Sequence, residues 1–281
     1  MKRHLLYAGL ACAAALQIAA APADSQPPAA AAFSYADLAD LGLGAPIAAH
    51  VRIAKAVALK QAQSAGVGPG RARLYVEADI VSLIRSPEGL PARLRYVVDL
   101  PRDAKGKAPK LKKGSEFLIL AAPVADRPGE VRLVAPDAQI AWTAGQAAHL
   151  RAILTEASGA SPAPRITGIG RAFHVPGAVA GESETQIFLL TEDGRPVSLN
   201  VLRRPGETPQ YAVALSEIVD DSAAPPRPNS LLWYRLACTL PRALPAQSVA
   251  EADRAGRTAI QADYRFIMDR LGPCVRARAR R

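Results

Sequence analysis

Apolar and polar positions alternate in short segments along the first half of the chain, which is typical of β-strands. Each segment is β-branched or alternating and ends at Gly, Pro or Asp. Residues 47–59, 74–84, 94–100, 116–120 and 131–134 are therefore predicted as strands. Val51, Ile53 and Val57 are expected on one face of the first strand. A short helical turn is predicted before it, at 35–41, and no longer helical pattern separates the strands, which favours an antiparallel barrel or sandwich.

Helical spacing replaces this alternation between residues 144 and 157. Ala147, Leu150, Ile153 and Leu154 recur at helical intervals, and Thr143 is a suitable N-cap. The pattern predicts one helix that packs on the sheet. The segment 159–164 that follows is rich in Ala, Ser and Pro, so it is interpreted as a linker between two domains.

The second half of the chain returns to strand-like segments and ends with a helix. The predicted strands cover residues 165–173, 186–190, 196–202, 211–219 and 231–237. Asp193-Gly194 lies between two apolar segments and predicts a hairpin turn. Ser248 and Glu251 match a capping box at the start of the last helix, and Gly272-Pro273 ends it. A second antiparallel β domain closed by a C-terminal helix is expected.

Two resemblances accompany these patterns. Residues 111–119, Leu-Lys-Lys-Gly-Ser-Glu-Phe-Leu-Ile, are followed by a Gly turn and another strand, and the first half thereby resembles five-stranded OB-like barrels of the netrin type. The whole chain, with Tyr-Ala-Asp-Leu-Ala-Asp-Leu at 35–41, is similar to exported proteins of alphaproteobacterial type. The second resemblance implies export and assigns no activity to any residue.

The predicted fold is mainly β (α+β), with an N-terminal OB-like barrel or sandwich and a second antiparallel β domain. Its predicted parts are a signal peptide at 1–23, a low-complexity tether at 24–33, the OB-like domain with its helix at 34–158, the linker at 159–164, the second domain at 165–274 and a basic tail at 275–281.

The first 23 residues have the pattern of a cleavable export signal. Lys2 and Arg3 precede an apolar stretch over 5–18, and Ala21-Pro22-Ala23 offers small residues at the cleavage positions. Cleavage near Ala23 would make the mature chain periplasmic or secreted; a retained anchor is the alternative. No later segment has the roughly 18 apolar residues that a membrane-spanning helix needs, so no transmembrane segment is expected after the signal.

The cysteines predict a disulfide. Cys12 lies within the signal, which leaves Cys238 and Cys274 as an even pair in an oxidising compartment. A metal pair or a redox dithiol is the alternative, but no His lies nearby and there is no C-x-x-C motif. The bond would join the C-terminal helix to the predicted strand that carries Trp233 and Tyr234.

Loss of Lys2 and Arg3 with the signal leaves 33 basic and 25 acidic side chains, a net charge of +8, which favours anionic partners. The candidate polyanion-binding residues are Lys105, Lys107, Lys110, Lys112 and Lys113 in one loop and Arg276, Arg278, Arg280 and Arg281 in the tail. A solubilising loop and a frayed end are the alternatives. Nucleic acid is not an expected partner, because the aromatic residues that could stack on bases are predicted in the core: Tyr75, Tyr96, Phe117 and Phe188.

The sequence contains no recognisable catalytic or metal-binding motif. His50, His149 and His174 fall in different elements without metal-ligand spacing, so neither a metal nor a cofactor is expected. The prediction is a non-enzymatic envelope protein that binds or scaffolds an unidentified partner, either an envelope protein or a polyanionic surface. One alternative is a hydrolase that uses His174 and a carboxylate from 217–221. Another is a peripheral protein that binds anionic lipid or polysaccharide through its tail.

Overall fold

The computed structural model describes residues 33–86, 89–216 and 223–278. The predicted signal peptide, the tether up to residue 32, the acidic residues at 217–221, and Arg280 and Arg281 of the tail lie outside the described residues. Within the described ranges, no helix has both the length and the apolar character needed to cross a membrane.

The described residues form ten strands and four α-helices, with short 3-10 helices at Gln61–Gln63 and Ala246–Val249. In chain order the elements are α1 Tyr35–Gly42, β1 Ile47–Ala58, β2 Arg71–Arg85, β3 Arg93–Pro101, β4 Glu116–Pro123, β5 Val131–Leu133, β6 Gln139–Ala141, α2 Ala144–Ser158, β7 Ile166–Pro176, β8 Ser183–Thr191, β9 Val197–Arg203, β10 Gln210–Ala214, α3 Leu231–Ala237 and α4 Arg254–Leu271. Thr143 caps α2 as predicted, because its side chain accepts from the N–H of Gln146 at 3.2 Å.

The first six strands form an antiparallel sheet that nearly closes into a barrel. The strand order is β3-β2-β1-β4-β5, and β6, which was not predicted, pairs with β4. The N–H of Arg95 donates to the carbonyl of Gly129 at 2.8 Å, and Arg95 and Glu130 form a parallel bridge. Because β3 and β5 meet in this way, the sheet curls around its own apolar core. Of the two predicted alternatives, an OB-like barrel or a sandwich, the structure has the barrel-like form.

The last four strands form a second antiparallel sheet in the order β10-β9-β8-β7. The hairpin between β8 and β9 is confirmed, and Gly194 adopts the positive φ of 73° that its turn requires. Ile187 and Leu189 point into the core. Phe188 lies between them in the strand and is 37% exposed, so its expected place in the core is wrong.

One apolar cluster extends across the segment 159–164. Its members come from β1, β4, both central strands of the second sheet and all four helices, and they include Leu38, Ala48, Leu118, Leu120, Leu150, Ile187, Leu199, Val201, Leu236 and Ile267. The two sheets are therefore separate in hydrogen bonding and continuous in packing. The division of the chain into two domains stays a prediction.

Residues 231–237 form α3, and their prediction as a strand is wrong. Ser230 caps the helix by accepting from the N–H of Trp233 at 3.2 Å. Trp233, Leu236 and Ala237 then face the core at helical spacing, and the indole N–H of Trp233 donates to the carbonyl of Leu271 at 2.8 Å. The helix therefore buries the apolar residues that had suggested a strand.

The last helix begins later than predicted. Asp253 is its N-cap and accepts from the N–H of Gly256 at 2.7 Å. Ser248 lies in the preceding 3-10 helix, so the predicted capping box of Ser248 and Glu251 is wrong. The predicted disulfide is confirmed: Cys238 ends α3, and its bond to Cys274 joins that helix to the residues after α4.

Candidate functional site

The exposed side of β1, β2 and β3 carries an ordered pattern of charge. Ala72, Leu74, Val76 and Ala78 of β2 point into the barrel, so the residues between them point outward. The pairing of the three strands then sets outward side chains opposite one another. We define the three-strand face by its three rows, which are Arg52-Asp79-Arg93, Lys55-Glu77-Arg95 and Val57-Tyr75-Val97.

A bulge in β1 creates part of this face. The register against β2 shifts between Ile53 and Lys55, which reverses the direction of the residues that follow. Val51 and Ile53 are buried, whereas Val57 is 45% exposed. The expectation that Val57 shares a face with the other two is therefore wrong.

The acids of the face bind its cations. The Nε of Arg93 lies 2.7 Å from Oδ1 of Asp79, and the Nζ of Lys55 lies 3.8 Å from Oε1 of Glu77. The hydrogen bond from Arg93 lowers the pKa of Asp79. Since each of the two charged rows has two cations and one acid, both rows keep a net positive charge.

An apolar row lies beside the charged rows. Tyr75 is half-buried between Val57 and Val97, which is 43% exposed, so its predicted position in the core is wrong. On the other side of Tyr75, Arg73 donates from Nε and Nη2 to the carboxylate of Asp99 at 2.7 and 2.8 Å. Tyr75 therefore lies between the ion pair of Arg73 and Asp99 and the row Lys55-Glu77-Arg95.

The lysine loop, residues 102–115 between β3 and β4, borders the three-strand face. Its predicted polyanion-binding residues are all exposed: Lys105, Lys107, Lys110, Lys112 and Lys113. The N–H of Gly114 donates to the carbonyl of Ile53 at 2.8 Å, and the N–H of Ile53 donates to Ser115 at 2.9 Å. The charge of Lys113 also contributes to the lowered pKa of Asp79. The loop and β1 thus form one continuous basic surface.

Most of the net positive charge of the predicted mature chain is in the barrel. Residues 47–142 contain 16 Lys or Arg side chains and nine Asp or Glu side chains, a net charge of +7. The predicted mature chain carries +8 in all, so its residues outside this range are nearly neutral together. The excess charge is therefore localised on the barrel.

The described tail arginines are engaged by acids. Arg276 donates from Nε to Asp40 at 2.6 Å, and Arg278 donates two hydrogen bonds to Asp137 at 2.8 and 2.9 Å. Burial alone would raise the pKa of Asp40, but hydrogen bonds from Arg276 and Tyr234 outweigh it and lower that pKa. The side chains of Arg276 and Arg278 are only 15% and 19% exposed. Unlike the lysines of the loop, they are therefore not freely accessible cations.

The three histidines among the described residues lie in separate environments. His50 is buried, stacks on Trp142 at 4.6 Å between ring centroids and contacts Glu116 at 3.1 Å. His149 is exposed on α2, and His174 lies on β7. The residues that the structure describes contain no group of three His, Cys, Asp or Glu side chains able to hold a metal ion.

His174 is linked through Thr185 to a carboxylate that sequence reasoning missed. Its Nδ1 lies 2.8 Å from Oγ1 of Thr185, which donates to Oδ2 of Asp263 at 2.5 Å. Asp263 interrupts the apolar face that α4 forms with Ile260 and Tyr264. An acid at a position that helical spacing assigns to an apolar face was the signal available in the sequence. The acids at 217–221, which were paired with His174 in the hydrolase hypothesis, lie outside the described residues.

The three-strand face and the lysine loop together can present cations and one aromatic ring to an extended anionic polymer. Cations set along adjacent strands suit a partner with repeated negative charge, because each contact alone is weak and several act together. Neither the models of known protein families nor the curated proteins match this sequence.

Proposed function

We propose that the protein is an exported, non-enzymatic envelope protein that binds a polyanionic partner through the three-strand face and the lysine loop. The observation that carries the proposal is the pairing register of β1, β2 and β3, which sets two cation-acid-cation rows beside Tyr75. The partner class is an acidic polysaccharide of the cell envelope.

Two features support an extracytoplasmic setting. The basic, apolar and small-residue order of residues 1–23 is the pattern of an export signal. The disulfide between Cys238 and Cys274 is the kind of bond that persists in oxidising compartments. Both features favour an envelope polymer over intracellular polyanions.

The alternative of lipid binding through the tail has weaker support than polymer binding through the lysine loop. Arg276 and Arg278 already bind Asp40 and Asp137, so an anionic headgroup would have to compete with these carboxylates. The lysines of the loop are exposed, and their ammonium groups can be contacted without breaking the fold. An exposed ion pair contributes about 0.5 kcal/mol, so affinity requires several at once.

The test is retention of the mature chain on an immobilised sulfated polysaccharide, eluted with a salt gradient. Replacing Lys110, Lys112 and Lys113 with Glu should lower the salt concentration at elution strongly, because screening and charge reversal act on the same contacts. The matched control replaces Arg254, Arg257 and Arg265 of α4 with Glu. These side chains are also exposed, and the net charge changes equally.

The control distinguishes binding through the proposed surface from a general effect of net charge on retention. Elution of the α4 variant close to that of the unmodified protein supports the proposed surface. Equal loss of retention in both variants would contradict it, since net charge alone would then explain binding. Vesicles of anionic lipid serve as a second probe, and stronger binding to them than to the polysaccharide would refute the partner class.

A further inference from the structure

The outward side of β7 and β8 is an exposed apolar surface. Ala172 of β7 and Ile187 of β8 face the core, so the residues that alternate with them along each strand face outward. We define the β7-β8 face by its four large apolar side chains, which are Phe173, Val175, Phe188 and Leu190. Their exposed fractions range from 37% to 62%. Because they lie on neighbouring strands, they form one continuous patch.

The side chains of the β7-β8 face are held in place by one another and by the backbone. The rings of Phe173 and Phe188 meet edge to face, with 6.1 Å between their centroids. Leu190 lies over two glycines of β7, since a Cβ on Gly168 would be 3.3 Å from its Cδ1 and a Cβ on Gly170 would be 3.5 Å from its Cδ2. These contacts already restrict the side chains, so binding a partner here costs little conformational entropy.

The exposed area of the β7-β8 face matches the apolar part of a dimer interface. The four side chains together expose about 400 Å², taking roughly 200 Å² for each complete side chain. A stable interface covers about 800 Å² of each partner, and somewhat more than half of that area is apolar. The face therefore supplies most of the apolar area that one side of a stable dimer needs.

The net charge near the β7-β8 face favours a second copy of the chain over an anionic partner. Residues 165–192 contain two Arg and three Glu side chains, a net charge of −1. An anionic polymer would therefore gain no electrostatic attraction from this segment. Association of two copies through their barrels would bring two charges of +7 together, whereas association through β7 and β8 brings together two segments of low net charge.

One arrangement of two copies also pairs charges at the ends of the face. Glu184 is exposed at one end, where it pairs with Val175 in the strand register. Arg165 and Glu192 form an ion pair of 3.2 Å at the other end, and the side chain of Arg165 is 68% exposed. When the strands of the two copies run antiparallel, Glu184 of one copy meets Arg165 of the other. A parallel arrangement would instead place Glu184 against its own equivalent.

We propose that the protein forms a homodimer in which the β7-β8 faces of two copies stack with their strands antiparallel. Phe188 is midway between Glu184 and Glu192 in the strand, so the two-fold axis passes near Phe188. Each contact then occurs twice, as in any interface of this symmetry. The dimer is independent of the proposed binding of a polyanion, and it would give each particle two three-strand faces.

The first test is sedimentation equilibrium of the mature chain, which should be mainly dimeric at about 100 µM, because interfaces of standard area bind with micromolar affinity or better. Replacing both Val175 and Leu190 with Glu should raise the dissociation constant about a hundredfold, since unpaired carboxylates would be buried between apolar surfaces. The matched control replaces Val81 and Leu83 of β2 with Glu. These two side chains are 43% and 45% exposed, and the net charge changes equally, so the dimer should persist.

The second test is cross-linking through a single introduced thiol. Cys238 and Cys274 are bonded to each other, so a new cysteine is the reactive one in the mature chain. Stacked sheets lie about 10 Å apart, a distance that a short bismaleimide spans, and Phe188→Cys should therefore give covalent dimers. Glu184→Cys is the matched control. Its two copies would lie about 25 Å apart in the antiparallel arrangement, at about 3.3 Å per residue, and should not cross-link.

Four outcomes would count against this dimer. A mature chain that is monomeric at about 100 µM would refute it. Equal weakening by the Val81 and Leu83 pair of substitutions would show a general effect of charge and contradict the interface. Efficient cross-linking of Glu184→Cys would overturn the antiparallel arrangement. Binding of a monomer to vesicles of neutral lipid, lost when Val175 and Leu190 are replaced with Glu, would assign the face to a membrane instead of a second copy.

Discussion

The disulfide between Cys238 and Cys274 is expected to supply a large part of the stability. Replacing both residues with Ala in the mature chain removes the bond and leaves no other thiol, since Cys12 lies in the predicted signal. Both side chains are partly buried, so alanine leaves only small gaps. The perturbation therefore acts mainly on the unfolded chain.

The size of the effect follows from the loop that the bond closes. The two cysteines are 36 residues apart. The chain-entropy relation then gives a loss of about 4 kcal/mol at 25 °C. Domains are commonly stable by about 5–15 kcal/mol, so this loss is a substantial fraction of the total. We expect the double variant to remain folded at 25 °C and to unfold at a much lower urea concentration.

The assay is equilibrium urea unfolding with and without a reducing agent. The unmodified protein should fall to the stability of the double variant when it is reduced, and the variant should not respond to the reducing agent. A difference in the free energy of unfolding below about 1 kcal/mol would refute the reasoning. A response of the double variant to the reducing agent would show that the measured effect does not come from this bond.

Two further predictions concern the first helix. Gly42→Ala should lower the free energy of unfolding by about 1–2 kcal/mol, because the new Cβ would lie 2.6 Å from Cδ1 of the buried Leu150, whereas Gly44→Ala, with no atom within 4 Å, should be close to neutral in the same urea experiment. Asp40→Asn should cost about 2 kcal/mol at pH 7 through its weakened bond to Arg276. Folding lowers the pKa of Asp40, so the contribution of its carboxylate to stability is complete above the unfolded pKa of about 3.9 and disappears as pH falls through the folded pKa. The free energies of unfolding of the two proteins should therefore converge in acid. A constant difference between them down to pH 2 would contradict this.

Alternation of apolar residues was sufficient to predict nine of the ten described strands, because each strand buries one face. It could not predict the consequence of the bulge near Ala54, where one extra residue turns Val57 outward beside Tyr75. Nor could it find β6, which has only three residues and pairs with β4 through the fold. The three-strand face was therefore accessible only through the pairing register.

The helices were predicted where their local signals were strong and missed where two signals competed. Residues 231–237 are apolar enough for a strand, and the decisive features were the cap at Ser230 and the spacing of Trp233 and Leu236. At α4, Ser248 offered a plausible cap, yet Asp253 is the residue that binds the first turn. The contact of Asp263 with Thr185 joins residues 78 apart, and no local pattern predicts such a contact.

The position of the tail has a consequence for the order in which the chain matures. The hydroxyl of Ser34 donates to the carbonyl of Val275 at 2.8 Å, and Asp37 accepts from the N–H of Ala277 at 2.8 Å, so residues 275–277 stabilise the start of α1. During synthesis, α1 therefore cannot make its full set of contacts until residues 275–277 have been added and pack against it. Loss of these residues would remove hydrogen bonds from a helix that lies more than 230 positions earlier in the chain.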